Sequence, residues 1–153
     1  MKGKKILVTG GTGFIGSHTV VELAAAGFQP VLMDNFDNSQ ASVLDGLETI
    51  LGFRPAFYEA DCNDAAAFTE IFQKESNIGG VIHFAAHKAV GESVQLPIKY
   101  YRNNIGSLLS LLETAKAAGI LPRGVFSFSG KTHPYALHRY DPDFDRDCAN
   151  CLG

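Results

Sequence analysis

A glycine triplet between a short apolar run and an amphipathic stretch constrains this chain more than any other feature. Residues Val8 to Gly16 are Val-Thr-Gly-Gly-Thr-Gly-Phe-Ile-Gly, directly after Lys5-Ile6-Leu7. The pattern is a buried strand, a tight turn and a helix start, with glycines at Gly10, Gly13 and Gly16. Such a turn leaves backbone N–H groups free at a helix N-terminus, where the helix dipole also favours an anion. Gly10 permits the turn, Gly13 lets the backbone approach phosphates, and Gly16 lets the helix pack close to the strand. A dinucleotide pyrophosphate is the usual anion in this setting.

The rest of the chain repeats the strand-helix alternation. Strands are expected at Lys5–Thr9, Gln29–Met33, Ala56–Glu59, Gly80–Phe84 and Gly124–Phe128. Helices are expected at Phe14–Ala26, Ala41–Leu51, Asp64–Lys74 and Ile98–Ala118. Pro97 suits a helical first turn, where its missing N–H costs nothing. Gly27 and Gly119 stand where left-handed caps end helices. The fold class is therefore α/β: a doubly wound, Rossmann-type parallel sheet of about five strands, in the order 3-2-1-4-5. Residues 1–129 are read as one nucleotide-binding domain. Residues 130–153 are polar, with two prolines and four aspartates, and are expected to be an irregular tail.

Composition narrows the partners. The chain has 153 residues, 46% hydrophobic, enough for one core. Its net charge is −3, with no basic stripe, so nucleic acid is not an expected partner. No apolar run approaches the roughly 20 residues that span a bilayer, so no membrane partner is expected either. Cys62, Cys148 and Cys151 form a sparse, odd set with no disulfide framework, which fits a reducing, cytoplasmic setting. Cys148-x-x-Cys151 with His133 and His138 has zinc-ligand residue types but poor spacing and no supporting turns, so no metal is expected.

Several polar residues stand at the ends of the expected strands. Asp34 closes the second strand about 18 residues beyond Gly16. A carboxylate there can accept from both hydroxyls of an adenosine ribose and repels a 2′-phosphate, favouring NAD over NADP. Asn38 and Ser39 share its loop. Asp61 and Cys62 end the third strand, near the adenine edge of such a site. Phe84-Ala85-Ala86-His87-Lys88 follows the fourth strand; its small residues leave room for a ribose or nicotinamide, and Lys88 brings a positive charge. His83 is read as a packed strand histidine. Asn103 and Asn104 interrupt a helix with poor helix formers, so one of them is expected to hold a loop or touch a cofactor. Ser127 and Ser129 end the fifth strand.

One segment is more specific than the glycine turn. Val81-Ile82-His83-Phe84-Ala85-Ala86-His87-Lys88-Ala89-Val90-Gly91-Glu92-Ser93, followed by Pro97, Tyr100-Tyr101 and Asn103-Asn104, resembles the UDP-glucose 4-epimerases, which are extended short-chain dehydrogenase/reductases. The opening Thr9 to His18, and Asp34-Asn35 with Asn38-Ser39, resemble the same family. The resemblance runs from about Lys4 to Ser129. Dehydratases share the glycine turn but not the Lys88-to-Ser93 string.

The resemblance implies bound NAD, a UDP-sugar substrate, hydride removal and return at C4, and a homodimer. It implies that Phe14 and Ile15 lie over the pyrophosphate, and that Asp34, Asn35, Phe36, Asp37, Asn38 and Ser39 hold the adenosine ribose. Asp61 and Cys62 would border the adenine, Phe84 to Lys88 would line the nicotinamide side, and Asn103 would complete the contacts. Ser129 would be the catalytic hydroxyl. The family's base is a Tyr-x-x-x-Lys pair, in which the lysine lowers the tyrosine pKa. No such pair follows Ser129; Tyr135 is followed four residues on by Arg139. The expectation is a truncated or frame-disrupted chain that is inactive alone. A non-catalytic NAD-binding module and another nucleotide-sugar epimerase or dehydratase are the alternatives.

Overall fold

Leu7 and Val8 are neighbours in β1 (Lys5–Thr9), yet they pack into different cores. Successive side chains of a strand point to opposite faces, so a strand covered on both sides must be apolar throughout. The computed structural model describes residues 3–120 and, beyond them, the backbone of 124–126 and 138–139. After β1 come α1 (Phe14–Ala25), β2 (Gln29–Asp34), α2 (Ser42–Leu51), β3 (Ala56–Glu59) and α3 (Ala65–Lys74). They are followed by β4 (Ile78–His83), α4 (Val90–Gln95), α5 (Pro97–Ala117), β5 (Gly124–Phe126) and β6 (His138–Arg139).

The sheet order is β3-β2-β1-β4-β5-β6. The pairs from β3 to β5 are parallel, in the order expected from the alternation. The two residues of β6 add antiparallel to β5. The rest of residues 130–153 lies outside the described residues.

One core holds Leu7, Val31, Met33, Phe68, Ile71, Val81, Leu111 and Ala115, so it lies under α3 and α5. The other holds Val8, Val20, Leu32, Leu44 and Leu47, under α1 and α2. Fully burying a side chain such as Phe68 or Leu7 stabilises by about 1.5–3 kcal/mol.

The local signals mostly act as expected. Gly27 and Gly119 adopt φ of 84° and 68° after α1 and α5, and Pro97 opens α5. Strand β4 begins earlier than expected, at Ile78. A register shift lets Lys5 pair with Ile78 and Ile6 with Gly80, so Gly79 is an extra residue that the alternation does not reveal. Helix α4 was not expected. It is six residues long and buries none of them, so it leaves no apolar period to read. Among the described residues, no helix is long and apolar enough to cross a membrane.

Candidate functional site

The chain leaves β1 for β2 on one side and later crosses to β4 on the other. This switch in direction opens a crevice at the C-terminal ends of the strands. A cleft of about 300 Å³ lies there. Of the expected binding residues, Gly10, Gly13, Phe14, Ile15, Gly16, Asp34, Asn35, Asp37, Asn38 and Ser39 line it from the β1 and β2 loops. Asp61, Cys62, Phe84, Ala85, Ala86, His87, Lys88 and Asn103 line it from the other elements.

The glycine turn is fixed by close backbone packing. Gly10 has φ 66°, and its N–H donates to the Met33 carbonyl at 2.8 Å. A Cβ at Gly10 would sit 2.9 Å from the Ala85 nitrogen, so only glycine lets β1 and the loop after β4 approach this closely. A Cβ at Gly16 would overlap the Gly10 carbonyl oxygen. Helix α1 starts at Phe14 with no side-chain cap, and its first internal bond runs from the Ser17 N–H to the Gly13 carbonyl at 2.9 Å. Among the described residues, the N–H groups of Phe14, Ile15 and Gly16 find no acceptor.

Asp34 holds two loops together. Its Oδ2 accepts from the Thr12 N–H at 3.1 Å, and its Oδ1 accepts from the Phe36 N–H at 3.0 Å and the Ser39 hydroxyl at 3.3 Å. Ser39 also meets the Thr12 hydroxyl at 2.7 Å. A carboxylate offers about four acceptor positions, so one remains, or two if Ser39 turns away. Phe36, expected in this loop's binding set, does not line the cleft. Its φ of 60° turns the ring toward Phe57, 5.1 Å away, against the core under α1 and α2.

On the opposite wall, Asp61 Oδ1 accepts from the Asn63 N–H and side chain at 2.8 and 2.9 Å. Cys62 is buried, and burial, aided by nearby Asp61, pushes its thiol up to about 12. It is a neutral packing group, not a nucleophile. Beyond β4, the Phe84 N–H donates to the Thr9 carbonyl at 3.0 Å. The amide of Asn104 clasps the His87 backbone, accepting its N–H at 2.8 Å and donating to its carbonyl at 3.1 Å. Lys88 is exposed at the cleft and, among the described residues, makes no ion pair.

His83 lies beneath the cleft, 4% exposed. Its Nδ1 meets the Thr9 hydroxyl at 2.7 Å and its Nε2 the Ser107 hydroxyl at 3.3 Å. Burial lowers its pKa to about 4, so it is neutral near pH 7. Ser107, Ala60 and Ala89 line the cleft without having been singled out. Ser107 is four residues after Asn103 and so shares its helix face, a signal the spacing already carried. Ser127, Ser129, His133, Cys148 and Cys151 lie outside the described residues, as does the side chain of His138.

A doubly wound parallel sheet with a glycine turn at its crevice defines a Rossmann-type α/β domain. The family model described as GDP-mannose 4,6 dehydratase matches residues 7–132, and the chain belongs to that family. Its relatives sharpen the comparison. The UDP-glucose 4-epimerase of Neisseria meningitidis serogroup C is 51% identical over 130 residues, covering 85% of this chain and 38% of the relative. The crystal structure of UDP-glucose 4-epimerase from Bifidobacterium longum, in complex with NAD+ and UDP, aligns with a TM-score of 0.78 and 43% identity. It covers 82% of this chain and 37% of that one. The enzyme from Stenotrophomonas maltophila, with bound NAD and formylated UDP-arabinopyranose, aligns with a TM-score of 0.77 and 38% identity. It covers 87% of this chain and 40% of that one. This chain thus spans about two fifths of the length of such relatives.

Proposed function

We propose that this chain binds NAD across the crevice and carries the cofactor half of a UDP-sugar 4-epimerase. The observation that carries the reading is the uncapped first turn of α1: Phe14, Ile15 and Gly16, whose N–H groups find no acceptor among the described residues, line a cleft that Lys88 also lines. The donor set suits a pyrophosphate: backbone N–H groups at a helix N-terminus, one lysine, and glycines with no side chain to fill the approach. Asp34 supplies the remaining acceptor for a ribose hydroxyl, and its charge opposes a 2′-phosphate. Asp61 Oδ2 makes no hydrogen bond among the described residues and suits an amine at the adenine edge.

When bound, NAD supplies a hydride acceptor and donor at C4 of a nucleotide sugar. This chain's residues bind and orient it: the loop 34–39 at the adenosine end, Phe84 to Lys88 at the nicotinamide end, and Asn103 between them. Ser129 is assigned the substrate-facing hydroxyl by the resemblance. The string from Lys88 to Ser93, together with epimerase relatives, favours epimerisation over dehydration. Residues 130–153 contain no Tyr-x-x-x-Lys pair to remove the sugar hydroxyl proton, so the 153 residues bind cofactor without turning substrate over. The exposed stripe Ile98, Tyr101, Ile105 and Leu109 on α5 suits a second copy of the chain, in a cytoplasmic homodimer.

A paired measurement tests the proposal. The purified chain is titrated with NAD by calorimetry, then assayed for conversion of UDP-galactose to UDP-glucose. Binding without conversion is expected. Conversion would refute the loss of catalysis, and absence of binding would refute the cofactor assignment.

A further inference from the structure

A run of side-chain amides joins three separate segments. Asn63, in the turn between β3 and α3, donates from Nδ2 to Asp61 Oδ1 at 2.9 Å and to Asn103 Oδ1 at 3.1 Å. Asn103 donates from Nδ2 to Asn104 Oδ1 at 3.0 Å. Asn104 in turn clasps the His87 backbone through both ends of its amide. The outer end of the run is open to solvent, and the inner end is half-buried.

Both ends dictate the same direction. A backbone N–H can only donate, so Asn104 must turn its oxygen toward the His87 N–H. A carboxylate only accepts, so Asn63 must turn its NH2 toward Asp61. Working inward from either end, the Asn103 oxygen faces Asn63 and its NH2 faces Asn104. Flipping any one amide would oppose two donors or two acceptors, which is costlier than losing a bond.

Helix α5 is shaped to seat Asn63. Asn103, Gly106 and Ser110 fall on one helical face at i, i+3 and i+7. A Cβ at Gly106 would sit 2.9 Å from Asn63 Oδ1, so the missing side chain admits the Asn63 amide. The Ser110 hydroxyl donates to the Asn63 carbonyl at 3.3 Å.

We propose that Asn63 is a positioning residue that fixes which group Asn103 presents to the cleft. Asn63 occupies the Asn103 oxygen, and Asn104 takes one proton of the NH2. The second N–H is left for the cleft, where it selects an acceptor such as a ribose or phosphate oxygen. The same run ties the Asp61–Cys62 wall to the Phe84–Lys88 wall. Asn63 does not itself line the cleft and acts through Asn103. The proposal rests on the NAD reading above.

The test compares Asn63→Asp with Asn63→Ala. Aspartate keeps the shape but aims an acceptor at the Asn103 oxygen; if Asn103 turns, its oxygen then meets that of Asn104. Alanine merely removes a link. NAD affinity is expected to fall about tenfold for Asn63→Asp and about threefold for Asn63→Ala. Without cofactor, the His87 amide is expected to exchange with D2O about tenfold faster in Asn63→Asp than in the native chain. In an Asn103→Ala background the two replacements should become equivalent, which separates the effect from repulsion by Asp61. A residue acting by bulk alone gives the reverse order, because alanine loses the volume that aspartate keeps. The reverse order, persistence of the difference without Asn103, or unchanged His87 exchange in Asn63→Asp overturns the proposal. If the native chain does not bind NAD, the cofactor reading falls, while His87 exchange still decides the role of Asn63.

Discussion

The same substitution, glycine to alanine, should have opposite effects at Gly16 and Gly46. At Gly16 an added Cβ overlaps the Gly10 carbonyl oxygen and lies 2.9 Å from the Gly10 carbonyl carbon and 3.0 Å from the Gly11 Cα. All three neighbours are backbone, so no side chain can swing aside. Helix α1 must move off β1 or the turn must open. Overpacking of this kind costs about 2–3 kcal/mol, which corresponds to a melting temperature lower by about 5–12 °C. The displaced atoms belong to the turn that presents the α1 N–H groups, so NAD affinity should fall at least about tenfold.

Gly46 lies inside α2, exposed, with nothing within 4 Å of an added Cβ. There the new methyl meets no obstacle, and the helix gains about 1 kcal/mol from lower backbone entropy in the unfolded chain. Gly46→Ala should melt about 3 °C higher and bind NAD unchanged. Differential scanning calorimetry and NAD titration of both variants give the comparison. If Gly16→Ala melts and binds like the native chain, the close approach of α1 to the turn is wrong.

Two further perturbations follow from buried polar groups. His83 has a folded pKa near 4 against an ordinary 6.5, so below pH 6.5 the unfolded chain binds a proton that the folded chain refuses. Its contribution is full above pH 6.5 and is lost as pH falls toward 4, by about 3 kcal/mol in all and about 2 kcal/mol by pH 5. Urea midpoints at pH 7 and pH 5 should diverge less in His83→Asn than in the native chain; equal divergence rejects the buried neutral imidazole. Replacing Asp34 by asparagine removes the charge and turns an NH2 toward donors that now point at a carboxylate. It should cost about 1–3 kcal/mol in stability and raise the ratio of NADP to NAD affinity about tenfold or more. An unchanged ratio in competitive titration would remove Asp34 from the ribose assignment.

Much of the fold follows from local features of the chain. The apolar run before Gly10 had to be buried on both faces, because strand geometry sends Leu7 and Val8 to opposite sides. Strand-helix alternation then left a parallel sheet as the economical packing, and Gly27, Gly119 and Pro97 marked helix ends through their own backbone limits. The cleft's lining was legible where chemistry and strand ends coincide, as at Asp34 and Lys88. Helix α4 was not legible, because a helix that buries nothing writes no period into its sequence.

Tertiary structure decided what each side chain near the cleft is free to do. Asp34 is a carboxylate in any fold, but only the folded turn shows most of its acceptor capacity spent on Thr12, Phe36 and Ser39. Phe36 belongs by sequence to the loop expected to bind a ribose, and a left-handed backbone turns it toward the core. The paired asparagines announced a polar task without dividing it: in the fold Asn104 grips the His87 backbone and Asn103 faces the cleft. The division depends on contacts between residues 17 and 40 positions apart, and no local propensity encodes such contacts. The glycine turn raised the expectation of an anion; the packing of α1, β4 and α5 around it set the shape and polarity of the surrounding cleft.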